Sequence, residues 1–183
     1  ALATSKPFEI RFPTATDIPG CSFGAFSHLN RELATRVKPR LYSLMGAAQG
    51  RLEAMHREHA GDGLCLLVSK GVQAALPLRF ETRLEGADSA AFYPHHLIVL
   101  EAGARATLVE ELRGDGNSAL HNGVTEIILE EGAELDYVVF QDLPLTCKSF
   151  SFEFIRLGKD AKLCFTHVEM GASSRRVEIN CED

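Results

Sequence analysis

Four groups of side chains in this 183-residue sequence have the types that could do chemistry. There are five cysteines (Cys21, Cys65, Cys147, Cys164, Cys181), an adjacent pair His95-His96, the separated titratable residues Glu110 and His167, and a polar stretch RGDGNSALHNG (113–123) with Asp115, Asn117, His121 and Asn122. Thiolates and imidazoles bind iron and zinc, and paired carboxylates cleave glycosidic bonds. Spacing narrows these options. The cysteines are odd in number and form no CxxC pair, which argues against a disulfide framework and a zinc ribbon and for reduced thiols in a cytosol-like compartment. Neighbouring strand residues point to opposite faces, so one metal takes both His95 and His96 only across a bulge. A glycosidase needs two carboxylates at a set separation, and 113–123 supplies Asp115 with no partner in register, so it reads as a solvated connector. No GxxxxGK[ST] loop occurs, so ATP hydrolysis would fall to a partner.

The chain's charge of −6 disfavours nucleic acid and anionic membrane as partners, and no apolar run reaches the roughly 20 residues of a bilayer span. No secretory segment follows Ala1, and a cytoplasmic location is expected.

The elements that must position these residues fall into two regions. Residues 1–62 form a lead-in without sustained period (1–26) and a helical stretch (27–60). Leu52, Met55 and His59 give the last helix its apolar-leaning face, and Glu53 and Arg57 are spaced i, i+4. Pro39 interrupts the helical pattern, RLYSLMGAA resumes it, and Gly61-Asp62-Gly63 ends it. Residues 63–183 carry short runs rich in Val, Ile, Leu and Phe with turns between them, a strand pattern.

Those runs repeat. LEAGARATLVEE, LEEGAELDYVVF and LGKDAKLCFTHV place Gly103, Gly132 and Asp160 in register at spacings of 29 and 28, with Gly71 a degenerate earlier copy 32 residues before Gly103. Such a period without intervening helices predicts a mainly β protein: a right-handed parallel β-helix (β-solenoid) preceded by a short α-helical region. In that register Ala106, Leu135 and Leu163 share one column and Leu108, Tyr137 and Phe165 another. Thr107, Asp136 and Cys164 face outward, and Glu110, Val139 and His167 align. Ala104, Ala133 and Ala161 let the corners stack. Cys164 on the outer face and Cys147 in a loop are candidate accessible thiols, set against the plainer reading of small hydrophobes. Cys164, Cys147, Cys181 and His167 are the weak metal-ligand candidates, and none is assigned.

The stretches GDGLCLLVSKGV (61–72), HHLIVLEAGARATLVEEL (95–112), NGVTEIILEEGAELDYVVFQDLP (122–144) and FEFIRLGKDAKL (152–163) resemble, in order and spacing, the SufB/SufD family of iron–sulfur cluster assembly scaffolds. The resemblance implies a non-enzymatic scaffold subunit that works with a Suf-type ATPase and a second SufB/SufD-type β-helix subunit. It implies no cofactor in this chain, an iron–sulfur cluster arising only in the assembled complex. The SufB branch has a cysteine where this sequence has Leu112 and an amide where it has Gln141. Leu112, Gln141 and Glu169 share a column, and the lost cysteine favours a SufD-like subunit. The sequence ends at RRVEINCED, before the later coils and C-terminal helices that the resemblance implies, so it reads as a fragment or a short paralogue whose open end would dimerise. A carbohydrate-active or carbohydrate-binding β-helix is the alternative. A cupin-like metal barrel is weaker, since no HxH motif occurs.

Overall fold

The computed structural model describes residues 8–12, 18–47, 50–86 and 88–182. Its core is a β-solenoid of about four turns. One sheet holds β1 (Glu9–Arg11), β4 (Leu78–Leu84), β7 (Arg105–Gly114), β9 (Glu134–Leu143) and β11 (Lys162–Gly171), paired in that order. The other runs β12 (Ser174–Glu182), β10 (Lys148–Leu157), β8 (Ala119–Leu129), β6 (His95–Leu100), β3 (Leu64–Val68) and β2 (Cys21–Ala25), with β5 (Ala90–Phe92) also on β8. Each coil contributes one strand to each sheet, and successive coils pair in parallel.

The coil period has a backbone cause. At each corner a residue with positive φ turns the chain: Gly71 (70°), Gly103 (69°), Gly132 (65°) and Asp160 (57°). The corners are hydrogen-bonded to one another, Gly71 N to Ala102 O (2.9 Å), Gly103 N to Glu131 O (2.8 Å) and Gly132 N to Lys159 O (2.9 Å). Ala104 and Ala133, just past the turn, are fully buried, so only a small side chain fits between stacked corners. The predicted columns are all present: Ala106 pairs with Leu135 and Leu135 with Leu163, and Leu108, Tyr137 and Phe165 follow two residues on. These columns meet Ile98, Ile127 and Ile155 of the facing sheet in one continuous core. The longer interval after Gly71 is also explained. Gln73 bridges Arg105, whereas Leu78 pairs with Leu108, so two of the three additional residues bulge out before β4 and leave Leu76 71% exposed. The third falls between Leu84, paired with Gly114, and Ala90, paired with Ala119.

Three expectations about residues 1–62 need correction. The lead-in contains strands: β1 and β2 add antiparallel to β4 and β3 and so cover the first edge of both sheets. The alternation is too short there to register as a period; residues 1–7 and 13–17 lie outside those described. Helix does not resume after Pro39, because residues 38–45 form turns around Tyr42 at φ 60°. The helices are α1 (Arg31–Val37), capped by Asn30 Oδ1 on Leu33 N (2.9 Å), and α2 (Arg51–His59). Finally, α2 buries Glu53 and His56, while Leu52, Met55 and His59 are only half-buried. Arg57 donates to the Gly46 carbonyl and lies 5.6 Å over the Tyr42 ring.

The helical segment lies on the outer face of the second sheet. Val37, Leu33, Leu41 and Leu44 cover Cys65, Leu67, Leu97 and Val99, and Met45 and Leu52 cover Val124, Phe152 and Phe154. Among the described residues no helix is long and apolar enough to cross a membrane.

Candidate functional site

Strand alternation sends most inward side chains into the apolar core, yet a band of inward positions is polar. The first sheet supplies Thr82, Glu110 and Gln141; the second supplies His96, His121, Thr125, Ser149 and Glu153, and all eight are buried. Both sheets close around a cavity of about 20 Å³ bordered by His96, Glu110, His121, Thr125 and Glu153, room for one water molecule.

The hydrogen bonds fix most protonation states there. His96 Nδ1 accepts from Leu64 N (2.9 Å), so its proton sits on Nε2, which lies 3.3 Å from Glu110 Oε1. That contact is off-line, an electrostatic approach rather than a directed hydrogen bond. Glu110 also accepts from Tyr137 Oη (2.5 Å) and Thr82 Oγ1 (3.3 Å). Burial works to raise the Glu110 carboxyl, but His96 and the Tyr137 hydroxyl outweigh it and hold the group below its ordinary value. Glu153 has no such partners. Burial first, then the neighbouring Glu110 charge, push it up to about 8 against a hydrogen bond from Thr125. Ser149 Oγ donates to Gln141 Oε1 (2.7 Å) and therefore accepts from His121 Nδ1 (3.1 Å), leaving His121 Nε2 bare. Burial holds His121 down to about 4.

The buried polar atoms lacking a protein partner concentrate here: His96 Nε2, Gln141 Nε2, Glu153 Oε2 and both nitrogens of His167. The arrangement thus sets a neutral acid, an ionised carboxylate and a neutral imidazole around a water-sized space, groups suited to holding and exchanging a proton. With Nδ1 occupied by Leu64 N, His96 carries its hydrogen on Nε2 and does not offer that nitrogen as a ligand. Among the described residues no group of three or more His, Cys, Asp or Glu is placed to hold a metal ion.

The residues expected from the sequence are distributed as follows. Leu112, Gln141 and Glu169 do share a column. Leu112 is buried with Leu84 and Leu143, and Gln141 joins the polar band. Glu110, Val139 and His167 also align, with His167 half-buried near the open end. Cys164 and Cys181 are exposed and Cys147 is buried, so Cys147 follows the plainer reading as a small hydrophobe and not that of an accessible thiol. Cys147 does lie in a loop, but it packs under Leu84 and Ala90. His95 points outward and His96 inward, so the pair is split as alternation requires. The connector reading of 113–123 holds for Asp115, which accepts from Gly86 N (3.1 Å) and Asn117 N (3.1 Å). It fails for His121 and Asn122, which are buried in β8. One coil later in register stand Ser149 and Phe150, and that register was the available signal.

Sequence reasoning missed a second buried cluster, on the outer face beneath the helices. The Glu126 carboxylate accepts from Tyr42 N (2.5 Å), Leu44 N (2.7 Å) and Met45 N (3.1 Å). His95 Nε2 lies 3.0 Å from Glu126 Oε2, His95 Nδ1 lies 3.0 Å from His56 Nε2, and His56 Nδ1 lies 2.9 Å from the Asn122 carbonyl. Glu126 escaped notice because TEIILEEG reads as an apolar run with a terminal acid. Only the tertiary fold brings α2 against it.

The comparisons agree with this architecture. Residues 82–182, more than half of the chain, match the family model described as SUF system FeS cluster assembly, SufBD core domain. An iron–sulfur cluster assembly SufBD family protein of Pyrococcus horikoshii is 24% identical over 143 residues, which cover 77% of this chain and 32% of that protein. The chain thus spans about a third of the length of the curated relative it matches. The stacked coils from Thr82 to Glu182 are the matched region, and the chain belongs to the SufBD family.

Proposed function

We propose that the chain serves as a non-enzymatic scaffold in Suf-type iron–sulfur cluster assembly, working with a partner ATPase and a second β-helix subunit. The observation that carries this reading is the family match laid over residues 82–182, the coils themselves. The cluster is cargo of the complex. Cys65 and Cys147 are buried, Cys21 is half-buried on β2, and Cys164 and Cys181 stand on β11 and β12, a placement that supports reading the cluster as held in the assembled complex. Burial also raises the Cys65 thiol to about 12, far from the thiolate a ligand must be. Leu112, in the position of the SufB cysteine, favours the SufD-like branch.

The test is a pull-down of the full-length protein from its own cells, with mass spectrometry of what is recovered. A Suf-type ATPase together with a second β-helix subunit is the expected result. A folded bait that recovers neither overturns the scaffold reading.

A further inference from the structure

The buried chain Asn122 C=O···His56···His95···Glu126 has a proton count that its hydrogen bonds dictate. The Asn122 carbonyl only accepts, so His56 Nδ1 must donate to it across 2.9 Å. At the other end Glu126 takes three backbone N–H groups, from Tyr42, Leu44 and Met45, which holds it as a carboxylate that only accepts. His95 Nε2, 3.0 Å away, must therefore donate to it. Between them, the 3.0 Å contact of His56 Nε2 with His95 Nδ1 needs one donor and one acceptor. Two neutral imidazoles bring two N–H groups, and the chain of contacts needs three.

We propose that His56 and His95 together hold one additional proton, and that this proton locks the helical segment onto the outer face of the solenoid. Either ring can carry it, since moving it across the central contact leaves all three bonds intact. Charge balance supports the count: one imidazolium beside one carboxylate is a neutral buried unit. The clasp joins three separate pieces of chain. His56 comes from α2, His95 and Glu126 from β6 and β8, and the backbone donors from the turns at 42–45.

Burial resists charge on either ring. Burial, above all, and then His95 hold His56 down to about 3, with His121 and His96 adding to the effect behind the sheet. Burial also lowers His95, assisted by His96 and by Arg57 from α2 and opposed by Glu126. The Tyr42 ring, 4.3 Å from His95, and the Tyr93 ring, 6.4 Å from His56, complete the shell as uncharged groups. Burial thus opposes even the first proton, and the three-bond frame together with the Glu126 charge is what holds it.

The sign of the linkage follows. A docked pair that binds its first proton more tightly than free histidine contributes stability fully below the ordinary value of about 6.5. That stability is lost as pH rises through the docked value. Two neutral histidines held down by burial would give the reverse, a segment that loosens as pH falls.

The full chain, labelled with ¹⁵N-histidine and assigned with His56→Gln, tests this by NMR at about pH 8, where free histidine is neutral. One imidazolium-type ring shared between His56 and His95 is expected, and its loss in Glu126→Gln, whose amide can donate to His95 directly. Two neutral rings in the unsubstituted chain overturn the proposal. Hydrogen exchange of that chain tests the lock independently. Protection of the Tyr42, Leu44 and Met45 amides, corrected for intrinsic rates, should fall relative to Leu66 and Ile98 between about pH 7 and about pH 9. Unchanged or rising protection overturns the lock.

Discussion

At the scale of single residues, what distinguishes this solenoid is how differently it treats its buried carboxylates. Glu126 is ringed by donors, Glu110 has Tyr137, Thr82 and His96, and Glu153 has only Thr125 with one oxygen unpartnered. Glu153 therefore runs against the usual carboxylate pattern. Its folded value, about 8, lies above the ordinary 4.5, so the folded chain keeps a proton that the unfolded chain releases. Stability then falls as pH rises from about 4.5 to about 8 and levels off above, by on the order of a few kcal/mol in total. Glu153→Gln supplies the neutral form permanently and removes that slope. Urea unfolding should give a higher midpoint for the variant at about pH 8 and matching midpoints at about pH 5. Midpoints offset equally at both would mean that Glu153 is not the group that titrates. The Asp160 corner makes a smaller case. At φ 57° it stands where the two preceding coils have glycine, so Asp160→Gly relieves a left-handed conformation. It should leave stability unchanged or raise it by up to about 1 kcal/mol in thermal unfolding.

At the scale of elements, the joint between the helical segment and the solenoid is Gly61-Asp62-Gly63. Asp62 Oδ2 accepts from Ser27 Oγ (2.6 Å), its Oδ1 accepts from Gly63 N (2.8 Å), and its carbonyl accepts from His95 N (3.1 Å). A Cβ on Gly63 would stand 1.5 Å from the His95 carbonyl oxygen, whereas one on Gly61 would meet nothing within 4 Å. Gly63→Ala should thus cost more than about 2 kcal/mol, as backbone must move to admit it, and Gly61→Ala should be neutral or slightly stabilising. Thermal unfolding of the two variants side by side decides this. The sequence stretch announced a helix stop; its second duty, welding β6 to the helical segment, is a contact between residues 32 apart that no local pattern carries. The same boundary separates what could be read from what could not. The columns through Leu108, Tyr137 and Phe165 were legible because a repeat of 28 or 29 residues converts spacing directly into contact. The buried faces of His56 and Glu126 were not, because α2 has no repeat and its polar side is the one that docks. His121 fell between the two cases. It lay in register with Ser149, but glycine and asparagine around it gave the look of a loop.

At the scale of the whole molecule, the two ends of the solenoid are unlike. The first edge is covered by β1 and β2 running antiparallel, which blunts it against further pairing. The other edge is β11 and β12, whose side chains are largely exposed, with Ile179 at 54% and Met170 at 43%. Ile179 continues the inward column of Thr125 and Glu153, so it is a core position with no coil beyond it among the described residues. In the 183-residue chain, unpaired backbone and an exposed core residue lie on this same edge, where a further β coil can add. For the 183-residue chain alone, the expected behaviour is concentration-dependent dimerisation through this edge. Sedimentation equilibrium should show the dimer, and Ile179→Lys, which sets a charge into the exposed column, should shift it to monomer without lowering the unfolding midpoint of the isolated chain. A chain that stays monomeric at high concentration overturns dimerisation through this edge.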